Sequence, residues 1–252
     1  MLIVERQQRV IDILKQRKTA ELEELARELD VSASTIRRDL EQLELRGLIE
    51  RTRAGAIFRQ SPSGESNHDV SGRMNEHVDQ KQMIAAAAAQ LVRPQMTVLM
   101  DGGSTVVYAA RQITARPIQV VTNSLLIASH FAEDEQVELL LLGGNLYPRS
   151  GVTVGPIATG CLADLHADLL LFSLAGIYEN EAFNINLPMA QVEQIMMQQA
   201  ARSVLLMNSS KFGRKSLVRV CGLDEVDYLF ADNAVDQAWR DQLGERLVMA
   251  AH

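Results

Sequence analysis

Six runs of apolar residues limit the folds open to this chain. They read TVLMD (97–101), IQVVT (118–122), VELLLL (137–142), DLLLFSL (168–174), SVLLMN (203–208) and VDYLFAD (226–232). A strand with one wet face alternates apolar and polar residues. These runs do not, so both of their faces must be dry. Helical patterns stand between them, over 81–91, 105–112, 124–131 and 188–201. Strands alternating with helices predict an α/β domain with a Rossmann-like parallel sheet covered on both sides. No internal repeat is visible.

The first 58 residues read differently. Leu2 to Arg17 places Val10, Ile13 and Leu14 on one helical face. Thr19 is expected to cap a second helix bearing Leu22, Leu25, Ala26 and Leu29. Ser32 is expected to cap a third, running to about Arg46 and ended by Gly47, with Ile36, Leu40 and Leu43 as its buried seam. LIERT and AIF, flanking RAG, predict a short β-hairpin. Residues 60–80 hold almost no apolar side chains. The division is therefore a small α+β domain over 1–58, a linker over 59–75 and a larger domain over 76–252.

Three helices and a hairpin in that order suit a winged helix-turn-helix, whose second motif helix enters the DNA major groove by its N-terminal residues. That tip must be small and polar, as Ser32, Ala33, Ser34 and Thr35 are. Arg37 and Arg38 flank the apolar seam. Guanidinium groups there can take guanine edges bidentately or bind phosphate. Arg51 and Arg53 make the hairpin a basic wing. The net charge of the whole chain is -7, which excludes a globally basic nucleic-acid binder. Residues 1–59 nevertheless hold 12 Lys/Arg against 11 Asp/Glu, leaving 13 against 21 for the remainder. The N-terminal piece is the part fit to meet a polyanion.

In a parallel α/β sheet ligands bind beyond the carboxyl ends of the strands. Polar turns fall there: Asp101-Gly102-Gly103-Ser104-Thr105, then Thr122-Asn123-Ser124, then Gly143-Gly144, and Asn208 to Ser216 with Lys211. Backbone amides, hydroxyls and a lysine together are what a phosphate needs. Cys161 and Cys221 form no CxxC or Cys/His cluster and read as buried free thiols of a reducing cytosol. Neither a metal site nor a cofactor is expected. The N-terminus carries charges from residue 5, unlike a signal peptide, and the longest uncharged apolar run, Met83–Val92, is too short to span a bilayer. A cytoplasmic protein without a membrane partner follows.

VSASTIRRDLEQLELRGLIERTRAGA (31–56) resembles the DeoR-type winged helix-turn-helix signature. Its wing departs from that pattern, with Arg53-Ala54-Gly55-Ala56 where histidine-glycine-glycine-alanine is common. The turns at 101–105, 122–124, 143–144 and 210–212 resemble the family's effector domain, itself similar to ribose-5-phosphate isomerase. Asn208 stands where aspartate is common, Gly103-Ser104 replaces glycine-threonine, and 178–186 lacks the usual glycine-threonine. The resemblance implies a repressor of a carbohydrate operon, controlled by a phosphorylated sugar bound at Asp101–Thr105, Thr122–Ser124, Gly143, Gly144 and Lys211.

One winged module reads too few base pairs for genomic specificity, so a homo-oligomer on a double-stranded operator is expected, dimer or tetramer. Two other readings compete. A sugar-phosphate isomerase with a DNA-binding head would use Asp101 or Glu179 as base and Lys211 to hold the enediolate. No histidine (68, 77, 130, 166 or 252) lies in a ligand turn, and Asp101 serves more simply as a hydroxyl acceptor, so no catalytic residue is assigned. A DNA-compacting protein without a ligand is the third reading, against which the acidic larger domain stands.

Overall fold

A computed structural model of the chain describes residues 3–45, 49–52, 54–58 and 70–250. The chain forms two compact units, Met1–Ser66 and Asn67–His252.

The first unit runs α1 (Ile3–Arg17), β1 (Thr19–Glu21), α2 (Leu22–Glu28), α3 (Ala33–Leu45), β2 (Ile49–Arg51) and β3 (Gly55–Phe58). Val10, Leu14, Leu25, Ile36, Leu40, Leu43 and Ile49 form its core. The Ile36/Leu40/Leu43 seam is buried as expected, and β2 and β3 pair antiparallel as the hairpin. Thr19 is not a helix cap. It opens β1, which adds a third antiparallel strand on β3, and α2 begins after Glu21, whose N–H donates to the Glu24 carboxylate at 3.4 Å. Pairing with a distant strand outweighs the local capping preference of threonine. Gly55 makes the pairing possible: a Cβ there would lie 2.1 Å from the Ala20 carbonyl oxygen.

The second unit runs α4 (Val70–Met74), α5 (Val78–Ala89), β4 (Thr97–Met100), α6 (Ser104–Ala110), β5 (Ile118–Thr122), α7 (Leu125–Phe131), β6 (Val137–Leu141), β7 (Asn145–Tyr147), β8 (Val152–Val154), α8 (Pro156–Leu162), β9 (Leu169–Phe172), β10 (Gly176–Tyr178), β11 (Glu181–Asn184), α9 (Leu187–Gln198), β12 (Ser203–Leu206), β13 (Val218–Gly222), β14 (Tyr228–Ala231), α10 (Gln237–Leu243) and β15 (Leu247–Met249). Seven strands form a parallel sheet in the order β15-β14-β12-β9-β4-β5-β6. One face packs Leu99, Leu170, Phe172 and Leu205 against α8 and α9. The other packs Val98, Met100, Leu169, Leu171 and Val204 against α5, α6 and α7. Both faces are covered, which is why the strand runs are apolar throughout.

The chain enters the sheet at β4, builds outward through β5 to β6, and returns to β9 on the other side of β4. The switch in direction therefore falls between β4 and β9, where such sheets open a crevice at their carboxyl ends. Val70–Met74, within the stretch read as linker, is helix α4; the Val70 N–H donates to the Arg149 carbonyl at 2.6 Å and the Tyr108 hydroxyl to the Met74 carbonyl at 2.9 Å. Residues 59–69 lie outside the described residues. Cys221 is buried, but Cys161 is exposed on α8, contrary to the expectation of two buried thiols; both are free. Among the described residues no helix is long and apolar enough to cross a membrane.

Candidate functional site

In the first unit, Ser32 caps α3: its Oγ accepts the Thr35 N–H at 3.2 Å and lies 2.8 Å from both Ser34 Oγ and Thr35 Oγ1. Ser32, Ser34, Arg37 and Arg38 are exposed and Thr35 is half-buried, so the tip of α3 presents hydroxyls and guanidinium groups outward. Asp39, between Arg38 and Leu40, turns inward. It accepts from Arg6 Nε at 2.5 Å, Arg6 Nη2 at 3.2 Å and Gln7 Nε2 at 3.3 Å, which ties α3 to α1. Arg51 is drawn to Glu41 of the same helix at 3.0 Å, and its N–H donates to Glu44 at 3.0 Å. Arg53 lies outside the described residues.

In the second unit the four polar turns follow β4, β5, β6 and β12, at one end of the parallel sheet. The glycines after β4 are imposed by packing. A Cβ on Gly102 would stand 2.0 Å from Val152 Cγ1, and one on Gly103 would stand 2.7 Å from Ser173 Cβ. The turn is thus wedged between β8 and the exit of β9. Asp101 is buried, and its carboxyl is raised above the usual range by that burial, which backbone hydrogen bonds from Gly102, Ser173 and Gly103 partly oppose. Ser104 and Thr105 are buried, and Thr105 Oγ1 has no hydrogen-bond partner among the described residues.

The turn after β5 spends most of its polar atoms on itself. Thr122 Oγ1 donates to the Met100 carbonyl at 2.6 Å and accepts the Ser124 N–H at 3.0 Å. Ser124 caps α7 by accepting the Ile127 N–H at 3.4 Å. Asn123 donates to the Thr153 carbonyl at 3.1 Å and keeps a buried, unpartnered Oδ1. Gly143 is exposed. Gly144 has φ 143° and stands where a Cβ would be 2.7 Å from the Val154 carbonyl oxygen. Gly144 thus serves the close return of the β7–β8 hairpin.

Lys211 sits on a short turn after β12, fixed where Asp232 accepts the Ser209 N–H at 2.7 Å. Its amine donates to the Leu174 carbonyl at 2.6 Å and Ser173 Oγ at 3.3 Å, reaching the exit of β9. Burial, then the charges of Arg73 and Lys81, lower its pKa to about 7. Lys215 leans over the rings of Tyr178 and Phe183, 5.7 Å from each.

Four participants escaped the reading of the sequence. Glu193 of α9 is 1% exposed. Burial, reinforced by the charge of Asp101, raises its pKa well above the ordinary glutamate value. Asn184 Nδ2 donates to Glu193 Oε1, while Oε2 has no partner among the described residues. Lys81 of α5 donates to the carbonyls of Arg73 and Glu76, and burial lowers it to about 8. Arg73 of α4 donates to Ser150 Oγ at 3.2 Å. A signal for two of them was present. Lys81 shares its helix face with Ile84, Ala85 and Ala88, and Glu193 with Met189, Ala190 and Met196: a charge on an apolar stripe. Glu179, the carboxylate offered for isomerase chemistry, is exposed at the β10–β11 turn, as are His77, His130 and His166 elsewhere.

Comparison with known proteins agrees with both halves. Residues 6–62 match the DeoR-like helix-turn-helix domain and residues 76–233 the DeoR C-terminal sensor domain. The L-fucose operon activator of Escherichia coli K12 is 34% identical over 90% of this chain and 94% of its own. The transcriptional repressor GlcR of Bacillus subtilis is 32% identical over 93% and 90%. Among solved structures, ribose 5-phosphate isomerase A of Methanocaldococcus jannaschii aligns with TM-score 0.38 and 18% identity over 54% of this chain and 55% of its own. With a helix-turn-helix match and a sensor-domain match that together span most of its length, the chain belongs to the DeoR family.

Proposed function

We propose that the chain is a DNA-binding transcriptional regulator, a repressor of a carbohydrate-catabolism operon, whose hold on its operator is set by a phosphorylated sugar. One observation carries the DNA half: α3 hides Ile36, Leu40 and Leu43 while exposing Ser34, Arg37 and Arg38. A helix with that division can lay its hydroxyl-bearing tip in a major groove without unpacking its own unit. Relatives include an activator and a repressor. The same grip on DNA serves either outcome, according to where the operator lies. Binding DNA of the cell's own operons implies a cytoplasmic chain, and reading two half-sites implies a homo-oligomer.

The sensor half rests on a charge imbalance. Around Lys211 stand Arg73, Lys81, Asp101 and Glu193, and burial with the charge of Asp101 raises the pKa of Glu193. Arg73 aside, two amines, Lys81 and Lys211, face the carboxyls of Asp101 and Glu193, both of which burial pushes toward their neutral form. Burying an ammonium with too little counter-charge costs several kcal/mol in principle, and a phosphate monoester, with about 1.5 to 2 negative charges near pH 7, offsets that cost. Asn123 Oδ1, Thr105 Oγ1 and Glu193 Oε2 are left for the hydroxyls of a sugar. No reaction step is assigned. The relatives named above are regulators.

Arg37→Ala and Arg38→Ala are each expected to weaken operator binding by about 1–3 kcal/mol, with an unchanged circular-dichroism spectrum. Fluorescence anisotropy at fixed salt, on an operator selected from random DNA by the wild-type chain, measures this. Folded variants that bind like wild type sink the DNA half. Phosphorylated sugars are expected to raise the melting temperature of the full chain, and their unphosphorylated counterparts to leave it in place. Equal shifts from both sets would remove the phosphate from the reading.

A further inference from the structure

Among the described residues, the edge strand β6 carries an apolar surface with nothing packed over it. Proteins guard an open sheet edge with lysine, proline, a bulge or brevity. The opposite edge, β15, is three residues long with half-buried side chains. β6 has five residues and one charge, Glu138, which accepts from the Gln119 amide at 2.6 Å, and it ends in Leu140 and Leu141, which are 45% and 41% exposed. Successive strand residues face opposite ways, so each side of the sheet shows one bare leucine here. Leu141 shares the side of Val137 and Leu139, on which α7 packs, and α7 adds exposed Leu125 and Leu126. Beyond the strand end come Leu146 of β7 and Ile157 of α8, 51% and 63% exposed. Ile157 Cγ2 stands 3.5 Å from the place of a Gly143 Cβ, and the Leu125 N–H donates to the Gly151 carbonyl at 2.9 Å. These two contacts bring Ile157 to the end of β6 and the start of α7 to the turn before β8.

We infer that a second copy of this chain covers that surface, the β6 edges meeting across a two-fold axis. A strand edge is self-complementary under such an axis, because an antiparallel copy meets each unpaired N–H and C=O with the same groups of its own. The six aliphatic side chains expose on the order of 500 Å² per copy, more than half of the roughly 800 Å² a standard interface takes from each partner. None of them is charged, which excludes nucleic acid as the occupant. The surface also adjoins the sensor. Gly143 and Gly144 close β6, and the β7–β8 hairpin beyond them supplies Val152 against Gly102 and Thr153 against Asn123. Movement of the turns after β4 and β5 reaches the contact between copies through one hairpin.

The inference rests on the homo-oligomer of the proposed function: a wild-type monomer removes both, whereas surface variants that assemble like wild type remove this contact and leave the regulator reading standing. Sedimentation equilibrium of the full 27.9 kDa chain is expected to show at least two copies at micromolar concentration. Ile157→Glu and Leu140→Lys are each expected to weaken that association at least 100-fold, halving the mass, while Leu217→Lys, at an exposed site elsewhere, leaves it unchanged. If Leu140→Lys does not fold, Ile157→Glu on its exposed helix position decides alone. A wild-type chain that sediments at 27.9 kDa throughout, or an Ile157→Glu variant that assembles like wild type, overturns the inference.

Discussion

Asp39→Ala is expected to destabilise the N-terminal unit by about 3 kcal/mol, although the residue lies between an exposed arginine and the buried seam of an exposed helix. Its carboxylate is 2% exposed and accepts three hydrogen bonds from Arg6 and Gln7; the Gln7 amide also donates to Gln42 Oε1 at 2.6 Å. Removing one partner of a buried ion pair costs about 3–5 kcal/mol, because the other is left without compensation. Arg6 keeps 12% of its side chain in water and can turn outward, which sets the lower end of that range. A unit of this size has only a few kcal/mol in total, so the loss removes most of what holds α3 against α1. Hydrogen exchange of the α1 and α3 amides in the full chain reads it as roughly 150-fold faster opening. Asp39→Asn keeps an acceptor and is expected to lose about half as much. Protection unchanged in both variants would mean that the clamp is not what aims the helix.

The sequence showed these two layers unequally. The Ile36/Leu40/Leu43 seam and the unbroken strand runs were legible because each follows from one element's own periodicity. β1 was not, since three residues become a strand only when β3 arrives to pair with them. The small β10–β11–β13 sheet was missed for the same reason. At the site, the turns after β4, β5, β6 and β12 could be placed at one end of the sheet from strand parallelism alone. What each polar atom does there could not. Thr122 and Ser124 spend their hydroxyls on neighbouring backbone, and Gly144 answers a hairpin. The charges that make the sensor distinctive arrive from helices: Arg73 from α4, Lys81 from α5, Glu193 from α9. No spacing in the chain brings those three together; the β4/β9 switch does.

Lys211→Met is expected to act in two directions, stabilising the ligand-free chain at pH 7 by about 2 kcal/mol while removing its response to any phosphorylated sugar that stabilises the wild type. The sign follows from a depressed base. Between about 7 and 10.5 the unfolded chain holds a proton on Lys211 that the folded chain lacks, so folding in that window expels it. The penalty is complete at and below pH 7, shrinks as pH rises, and is gone above the unfolded value. Each unit is worth 1.36 kcal/mol, which sets a ceiling of about 5 kcal/mol. The bonds to the Leu174 carbonyl and Ser173 Oγ, lost in the variant, take back part of it. Methionine keeps the aliphatic stem packed and removes only the amine. Lys81 carries its own penalty in both chains, and loss of the neighbouring Lys211 charge relieves part of it, which adds to the gain. Urea unfolding of wild type and variant at pH 7 and pH 10 therefore gives a gain that is present at the lower pH and fades at the higher. A loss at pH 7, or a gain indifferent to pH, would show that the amine is not confined at a cost. A melting temperature that still rises with the sugar phosphate would show that the amine is not where the phosphate binds. A buried amine that weakens the empty fold and is relieved by an anion gives the ligand its differential hold on one state, which a metabolite needs to move a regulator.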